Sequence, residues 1–371
     1  MNLATVFPPM LVGGRPLDFS KIYDDSRGTT GSEIQILTMS KELAKRGHSV
    51  TLYIPSPNAS KWEGVHIEDM SRLGPDSEHV DAVCVSLDVN VLRYVSPKTL
   101  RVCFQQVNDF WYGTPGFDEY VDIYVSPSEP HREHMISQGT STASKWVVVP
   151  NGCYPDEYLP RDPVPGRCVY ISSPDRGLHL VLQEWLAIRK AVPHAELKIF
   201  YWSLDRWLND WRGKPEPTES IWAEHWRRAK YVEKVLPPLK RHGVSVIGSV
   251  SRNQILKELS QAEVMTYPCS VVAWTEGFSC AILEGCASGA LPIISRVDAL
   301  GHLYGGAVPM VDAPAQQHMM QWREMVIQAL VDPPWADEWR DKARVRAKDY
   351  AWPDLAEKFE KILEERCPKS P

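Results

Sequence analysis

The sequence predicts an α/β protein made of two doubly wound domains. Short apolar runs of strand length alternate with helical patterns along nearly the whole chain, which is the order of βαβ units in a parallel sheet. The chain has 371 residues, more than one ordinary hydrophobic core organises, so two domains are expected. Between them, the run from Asn151 to Gly166 is rich in proline and acidic residues, a composition typical of a hinge.

The composition and charge exclude several classes of protein. With 43% hydrophobic and 24% charged residues the chain has a globular profile, and its net charge of −6 argues against a general nucleic-acid binder. No apolar run is long enough to cross a bilayer, and the first residues lack the basic segment of a signal peptide, so a cytoplasmic location is expected. The eight cysteines form no Cys-x-x-Cys pair and have no histidine cluster beside them, which favours reduced thiols over a structural zinc.

The first domain is predicted to span residues 1–151 and to begin with a strand, a turn, a helix and a second strand. A polar loop from Pro8 leads to the turn Gly28–Glu33, which opens the helix and suits a phosphate group. The helix is expected to end at Arg46-Gly47, a cation followed by a glycine. The predicted strands of this domain are Leu3–Phe7, Ser49–Ile54, Asp81–Leu87, Leu100–Gln105, Ile123–Ser128 with its turn, and Lys145–Pro150.

Polar residues follow the predicted strand Leu100–Gln105, and Asp109 and Asn108 are the candidates among them. Ligands of α/β folds bind beyond the carboxyl ends of the strands, so Asp109 is a candidate catalytic residue. A carboxylate in such a loop also serves as a helix cap or turn residue, and the sequence favours neither role over the other.

The second domain is predicted to span residues 152–349 and to repeat the pattern of strand, turn and helix. Arg176 projects from the first turn, where its planar guanidinium can hold a diphosphate by two parallel hydrogen bonds and stabilise charge on a leaving group. The alternative is an ordinary surface charge. The predicted strands are Arg167–Ser172, Glu196–Tyr201, Val244–Ile247 and Glu263–Pro268, and the predicted helices are His179–Ala191, Asn253–Gln261 and Trp335–Lys348.

A basic helix is predicted over Glu219–Gly243, interrupted by Pro237-Pro238, after the irregular stretch Ser203–Thr218. Its Arg227 and Arg228 belong to an excess of basic residues with tryptophans nearby. Such a face either contacts an anionic membrane or acceptor, or is a solvated helix face, which is the interpretation we favour.

The stretch Trp274–Ser295 carries the most specific pattern in the chain. A polar turn, Thr275–Ser279, precedes a helix that ends in small residues, and Leu291–Ile294 has the character of a buried strand. The start of a helix offers unpaired N–H groups and partial positive charge to an anion. Glu276 before the helix and Glu284 within it are expected to border one cleft, about a dozen ångströms apart at ~1.5 Å per residue.

This pattern resembles the Glu-x7-Glu element of GT-B glycosyltransferases, of the retaining family 4 type. The matching residues are Glu276, Gly277, Phe278, Glu284, Ala287, Gly289 and Pro292, with Gly285 in place of the usual alanine. In the first domain Gly31, Glu33 and His48 match as well, although Thr30 replaces the first glycine of that loop. The resemblance implies two Rossmann-like domains facing a central cleft, with a helix of residues 350–371 crossing back to the N-terminal, acceptor-side domain.

The resemblance implies a retaining, metal-independent, hexosyltransferase-like enzyme that moves a sugar from a nucleotide-diphosphate sugar to an acceptor hydroxyl. Its catalytic residues would be Glu276, Asp109 and Arg176. Glu276 would hold sugar hydroxyls, Glu284 the ribose, and Arg176 the diphosphate. The complete set of implied donor-binding residues is Gly31, Ser173, Arg176, Val250, Glu276, Gly277, Phe278, Ser279 and Glu284. No cofactor and no metal are expected, because the sequence has no Asp-x-Asp pair suited to a divalent ion.

Two alternatives stay open. A GT-B-fold sugar-nucleotide epimerase would isomerise its sugar nucleotide without an acceptor, and a non-catalytic sugar-nucleotide-binding protein would transfer nothing. The sequence identifies neither the base, the sugar nor the acceptor, which is a glycan, a lipid carrier, a protein or a modified nucleic acid. Peripheral contact with a membrane is also left open.

Overall fold

The computed structural model describes residues 1–7, 18–26, 28–55, 57–110, 113–201 and 203–367. The described chain forms two compact units. Unit 1 contains residues from 1–22 and 29–152 together with the segment that begins at Tyr350, and unit 2 contains residues from 23–28 and 153–349. A short piece of the amino-terminal half therefore belongs to unit 2. Most of the loop predicted from Pro8 lies outside the described residues.

Unit 1 is organised around a parallel sheet. Its described strands are β1 (Asn2–Val6), β2 (Ser49–Ile54), β3 (Lys61–Trp62), β4 (Val65–Asp69), β5 (Ala82–Ser86), β6 (Leu100–Phe104), β7 (Ile123–Ser126) and β8 (Trp146–Val148). They form one sheet in the order β3-β4-β2-β1-β5-β6-β7-β8, and only the pairing of β3 with β4 is antiparallel among those described. The chain winds outward from β1 in both directions, as predicted, but the two short strands β3 and β4 were not expected.

Unit 2 contains a second sheet, which is also built from parallel strands. Its described strands are β9 (Arg167–Tyr170), β10 (Glu196–Ile199), β11 (Val244–Val246), β12 (Val264–Tyr267), β13 (Leu291–Arg296) and β14 (Met310–Asp312). They lie in the order β11-β10-β9-β12-β13-β14, and every described pairing is parallel. The strand order reverses between β9 and β12. In doubly wound sheets the crevice beyond the carboxyl ends of the strands at this reversal is where ligands bind.

The helices alternate with the strands and confirm the predicted α/β class. They are α1 (Gly31–Lys45), α2 (Leu73–Asp76), α3 (Glu129–Ser137), α4 (Leu178–Ala191), α5 (Leu204–Trp211), α6 (Ser220–Leu239), α7 (Arg252–Gln261), α8 (Cys280–Ser288), α9 (Leu300–Tyr304), α10 (Met319–Val331), α11 (Pro333–Lys348) and α12 (Trp352–Arg366). Two expectations were wrong. The stretch predicted to be irregular contains α5, and Pro237 and Pro238 lie in the last turn of α6 instead of interrupting it.

Helix α1 begins with a reciprocal cap. The Glu33 amide donates to Thr30 Oγ1 (3.3 Å), and the Thr30 amide donates to the Glu33 carboxylate (2.7 Å). Glu33 is fully buried. This Thr-x-x-Glu arrangement is a capping box, so the glutamate that matched a family position is engaged in starting the helix.

Helix α12 packs within unit 1. The Phe359 ring lies edge-on to Phe104, with 4.9 Å between the ring centroids. Glu360 accepts from Arg46 Nε (2.8 Å), at the end of α1, and lies 2.6 Å from Nε2 of His48. The turn after α1 is thus tied to the last helix, and His48 is part of that attachment. No described helix combines the length and the apolar character needed to cross a membrane.

Candidate functional site

Two turns of unit 2 meet where its strand order reverses. A single 3-10 turn, Pro174–Arg176, follows β9, and the loop that carries Glu276 follows β12. Because β9 and β12 are parallel neighbours, their carboxyl ends lie at the same edge of the sheet. The topology therefore brings Arg176 and Glu276 together although 100 residues separate them in the sequence.

The Arg176 guanidinium forms an ion pair with the Glu276 carboxylate. Nη1 donates to Oε1 of Glu276, and Nη2 donates to Oγ1 of Thr275 (3.0 Å). The Tyr267 hydroxyl donates to the same Oε1 atom (2.8 Å). Glu276 is only 1% exposed, whereas 31% of the Arg176 side chain is accessible. A carboxylate buried to this degree is tolerated because charged and neutral donors replace its water shell.

The surroundings of the pair keep Arg176 positively charged. Burial alone would lower the pKa of Arg176, but the adjacent Glu276 carboxylate outweighs it, so that pKa lies well above its ordinary value. Burial, the neighbouring Cys269 and the Glu276 charge raise the pKa of Tyr267 well above its ordinary value. Tyr267 therefore remains a hydrogen-bond donor, and Arg176 remains a cation beside the Glu276 carboxylate.

The turn that carries Arg176 is held close to the end of β12. Gly177 has a φ of 135°, and a Cβ added there would lie 2.4 Å from the Pro268 carbonyl oxygen. The Ser173 carbonyl accepts from the Tyr170 hydroxyl (2.6 Å), and the Arg176 carbonyl accepts from the Ser270 amide (3.0 Å). Only glycine satisfies both this backbone conformation and this close approach.

A second arginine, Arg228 on α6, stabilises the same turn through hydrogen bonds to backbone carbonyls. Its buried guanidinium donates to the carbonyl of Asp175 (2.8 Å) and to that of Ser270, and it pairs with Glu224 (2.9 Å). Arg228 is 4% exposed, whereas 58% of the neighbouring Arg227 side chain is accessible. The favoured interpretation of a solvated basic face was therefore wrong for Arg228. No local sequence pattern distinguishes these two adjacent arginines.

The loop that carries Glu276 is fixed by Asp298, a residue that sequence analysis missed. Its Oδ2 atom accepts the amides of Thr275 (2.8 Å) and Glu276 (2.9 Å). The next amide, that of Ala299, donates to the Glu276 carbonyl (3.1 Å). Asp298 follows β13 and has a φ of 44°, a conformation that aspartate tolerates better than most residues. A polar residue just past a strand was the available signal.

The start of α8 has a distinctive backbone. Ser279 precedes the helix with a φ of 66°, in the left-handed region. The Gly277 amide donates to the Thr275 carbonyl (3.2 Å), and the Phe278 ring is buried edge-on to Tyr304, with 6.3 Å between centroids. Of the three amides predicted to bind a diphosphate, that of Gly277 has an acceptor within its own turn.

Glu284 lies inside α8 and forms an ion pair with Arg252, the first residue of α7. The Arg252 guanidinium also lies 6.0 Å from the Tyr158 ring centroid and donates to the Tyr158 hydroxyl (3.4 Å). Arg252 was not predicted as a site residue. Glu276 precedes the first residue of α8, as predicted, and Glu284 lies within that helix.

The remaining predicted residues divide between the units. Gly31 is the first residue of α1 and Asp109 follows β6, both in unit 1, whereas Val250 and Ser173 belong to unit 2. Asp109 is exposed, and its Oδ1 accepts the Phe110 amide (2.5 Å), which is the turn role considered as its alternative. The Ser173 hydroxyl donates to the Asp175 carboxylate.

Val250 lies against the short amino-terminal piece of unit 2. A Cβ on Gly28, whose φ is 73°, would lie 2.9 Å from the Val250 carbonyl oxygen. In the same piece, Asp24 accepts from the Asn253 side chain (2.6 Å), and the Tyr23 carbonyl accepts the Asn253 amide (3.0 Å). Tyr23, Asp24 and Gly28 therefore border the loop that was predicted to lie near the nucleobase and the helix start that follows it.

In the described part of the chain, no group of three or more His, Cys, Asp or Glu side chains comes together in a way that could hold a metal ion.

No protein-family model and no curated protein sequence matches the chain. Solved structures do match it over their full length. Sucrose-phosphate synthase from Thermosynechococcus elongatus is 15% identical, with a TM-score of 0.69 over 98% of this chain and 99% of that one. AviGT4, a glycosyltransferase involved in avilamycin A biosynthesis, is 16% identical, with a TM-score of 0.67 over 100% and 98%.

A third similar structure is HepE from Anabaena in complex with UDP-glucose. It is 12% identical to this chain, with a TM-score of 0.69 over 98% of this chain and 99% of that one. Identities of this size carry information on fold alone. With two parallel-sheet units and near-complete coverage of these relatives, the chain has the GT-B fold of glycosyltransferases.

Proposed function

We propose that the protein is a retaining glycosyltransferase that moves a sugar from a nucleotide-diphosphate sugar to an acceptor hydroxyl without a metal ion. The observation that carries the proposal is the Arg176–Glu276 pair at the strand-order reversal of unit 2. The site offers one cation and one anion to a donor that has an anionic diphosphate next to a polyhydroxylated sugar.

Arg176 is assigned to the diphosphate. Its contacts with Glu276 and Thr275 use one N–H of each terminal nitrogen, and a guanidinium has five such donors. The remaining N–H groups serve the phosphate oxygens, and the positive charge stabilises the nucleoside diphosphate as it leaves. A metal ion is not required for that neutralisation, because the cation is part of the chain.

Glu276 is assigned to the transferred sugar. The contacts described for its carboxylate both reach Oε1, so Oε2 is the atom proposed to accept a sugar hydroxyl. A buried anion held in place by Asp298 through the backbone is also preorganised to stabilise positive charge that develops at the anomeric carbon. Both roles need the carboxylate charge, which an amide of the same shape lacks.

Glu284 and Arg252 are assigned to the nucleoside end of the donor. A carboxylate that already pairs with a guanidinium still has lone pairs for the two hydroxyls of a ribose. Val250, in the loop before α7, is proposed to lie beside the base. Asp109 and Gly31 of unit 1 are proposed to face the sugar and the acceptor side, and the acceptor itself is a hydroxyl compound of unassigned class.

The direct test is transfer of labelled sugar from UDP-, GDP- and ADP-sugars to a panel of acceptors. We expect activity in wild type and a loss of a hundredfold or more in kcat/KM, on the order of 3 kcal/mol, for Glu276→Gln and Arg176→Ala. Glu338→Gln and Arg227→Ala remove the same charges from exposed positions and should leave the rate unchanged. Full activity of both site variants would contradict the proposal.

Three further measurements separate the finer claims. Nuclear magnetic resonance of the product should show the anomeric configuration of the donor, since inversion would exclude a retaining mechanism. Turnover should survive EDTA, and a loss that magnesium restores would refute metal independence. An isomerised sugar nucleotide formed without acceptor would indicate an epimerase, and nucleotide binding with neither transfer nor hydrolysis would indicate a binding protein.

A further inference from the structure

A cationic pocket lies in unit 2 among residues 155–161, the end of α8 and helix α11. Its volume is about 290 Å³. The charged residues of its lining are Arg161, Arg344, Lys348 and a single carboxylate, that of Asp156. In a chain with a net charge of −6, such an excess of positive charge in one cavity calls for an explanation.

The sequence of α11 accounts for part of this arrangement. Arg340, Arg344 and Lys348 are spaced by four residues, so they lie along one face of the helix. The fourth cation, Arg161, belongs to the segment 155–161 that precedes β9. A Cβ on Gly289 would lie 2.8 Å both from Cδ of Arg161 and from Nη2 of Arg344, so these two side chains converge over the same glycine.

Internal contacts neutralise only some of this charge. Arg340 is well satisfied, because it pairs with Asp337 (2.8 Å) and donates to the carbonyl of Gly289 (3.2 Å) at the end of α8. Asp337 lies 3.9 Å from Arg161, and its side chain is 65% exposed. Asp341 lies 3.8 Å from Arg344, and its side chain is 78% exposed. Exposed pairs of this kind contribute little.

The C-terminus of α8 adds about half a negative charge to the neighbourhood. This partial charge explains why arginines gather near Gly289, but it is smaller than the charge of the cluster. No ion pair of Lys348 occurs among the residues that the structure describes.

Arg161 has an unsatisfied hydrogen-bond donor. Its Nε atom is buried and has no hydrogen-bond partner within the described chain. Burial, followed by the charges of Arg340 and Arg344, lowers the pKa of Arg161 to about 10. An unsatisfied donor on a guanidinium that is crowded by like charges is a costly arrangement unless an anion completes it.

We propose that this pocket binds a phosphate group, carried by a soluble phosphate ester or by a phospholipid headgroup. Two guanidinium forks and one ammonium group match the three peripheral oxygens and the double negative charge of a phosphate monoester. Tyr158 lines the same cavity, and burial raises the pKa of its hydroxyl well above its ordinary value, so this group stays neutral.

The pocket is distinct from the proposed donor site. None of the residues assigned to the nucleotide sugar lines it. Tyr158 connects the two regions, because its hydroxyl accepts from Arg252, the partner of Glu284. The proposal itself does not depend on the glycosyltransferase assignment, since it concerns the binding of an anion to a separate set of basic residues.

The experiment measures the binding of glycerol 3-phosphate, a phosphate monoester, by calorimetry and thermal unfolding. Wild type should bind with a saturable rise in Tm that weakens with salt. The double variant R344Q/K348Q should lose about tenfold or more in affinity, since charge-assisted hydrogen bonds dominate such a site. Arg344 and Lys348 are both exposed residues, so the fold should survive.

The control variant is K342Q/R346Q, which removes two charges from the same helix but outside the lining. It should bind like wild type, and so should R176A, which removes the proposed diphosphate ligand. Equal affinities in wild type and R344Q/K348Q, or a response that only R176A abolishes, would overturn the proposal.

A vesicle arm identifies the source of the phosphate. Phosphatidylcholine vesicles that contain phosphatidic acid should co-sediment the protein if the ligand is a headgroup, and R344Q/K348Q should stay in solution. Binding of glycerol 3-phosphate without co-sedimentation assigns the pocket to a soluble ligand. A protein that responds to neither probe does not have the proposed site.

Discussion

Arg176 and Glu276 form an ion pair across 100 residues of sequence, in which the anion is almost fully buried and the cation is partly accessible. This difference in exposure between the two side chains bears on the role of the pair. A pair that served stability alone could be replaced by apolar residues at little cost. Here the accessible partner is the cation that we assign to the diphosphate, while the buried partner is fixed by Tyr267 and, through its backbone, by Asp298.

Asp298→Asn should impair the proposed activity without unfolding the protein. Asparagine keeps the size of the side chain and tolerates the left-handed backbone, but it removes the charge that accepts two amides. We expect a loss of about 1–3 kcal/mol in unfolding free energy and a fall in kcat larger than the change in KM. Urea denaturation and steady-state kinetics check this. Asp312→Asn, at an exposed carboxylate paired with Arg296, is the matched control.

Gly177→Ala should be strongly destabilising, because its Cβ would lie 2.4 Å from the Pro268 carbonyl and its φ is 135°. The expected cost is about 3 kcal/mol or more, as backbone strain and a steric clash add. Gly213→Ala is the control, since that glycine has a φ of 72° but open space around its Cα. Its cost should be about 1 kcal/mol. Equal effects of the two substitutions in chemical denaturation would contradict the packing of the Arg176 turn.

Arg228→Gln should cost about 3–5 kcal/mol, because it leaves two carbonyls and the Glu224 carboxylate without their buried partner. Its neighbour supplies the comparison, as Arg227→Gln alters an exposed side chain and should change stability by about 0.5 kcal/mol or less. Thermal and urea unfolding of both variants measure the difference. If the two substitutions were equivalent, the assignment of Arg228 to the interior would be wrong.

His131 predicts an acid-sensitive component of stability in unit 1. Its Nε2 donates to the Val107 carbonyl (3.0 Å), its Nδ1 lies 2.7 Å from Ser126 Oγ, and burial lowers the pKa of His131 to about 4. The unfolded chain takes up a proton near pH 6.5, but the folded chain does so only near pH 4. This component is therefore present above pH 6.5 and is lost as the pH falls toward 4.

The wild-type protein should lose up to about 3 kcal/mol over that interval through this residue. The variant His131→Gln should be less stable at pH 7 but should show a shallower decline toward pH 4. His66→Gln, at an exposed position, should keep the wild-type pH profile. Denaturation series at several pH values test this, and parallel profiles for wild type and His131→Gln would refute it.

The regular elements could be predicted because their signals are local. Alternating apolar runs and helical spacing placed α4, α7, α8 and most strands to within a few residues. Helix α5 was not predicted, because its tryptophans and a nearby proline obscured the helical spacing of its apolar residues. Strands β3 and β4 were not predicted, because they are too short to show an alternating pattern. The Thr-x-x-Glu spacing of Thr30 and Glu33 is the signature of a capping box, but the turn was interpreted as a phosphate-binding loop.

The partners of the site residues could not be predicted in the same way. Arg176, Glu276 and Glu284 were identified as candidates, but nothing in their neighbourhood in the sequence names Tyr267, Asp298 or Arg252 as their contacts. These contacts depend on which strands become neighbours. The reversal of strand order between β9 and β12 joins segments that lie far apart along the chain. The spacing of residues in the sequence does not indicate which strands become neighbours.

The attachment of α12 to unit 1 has a consequence for biosynthesis. During translation the strands of unit 1 leave the ribosome first, but the helix that covers Phe104 and binds the end of α1 is made only after all of unit 2. A nascent chain must therefore keep that apolar surface from aggregating while nearly two hundred further residues are synthesised. Chaperone dependence during synthesis should accordingly be concentrated on the first half of the protein.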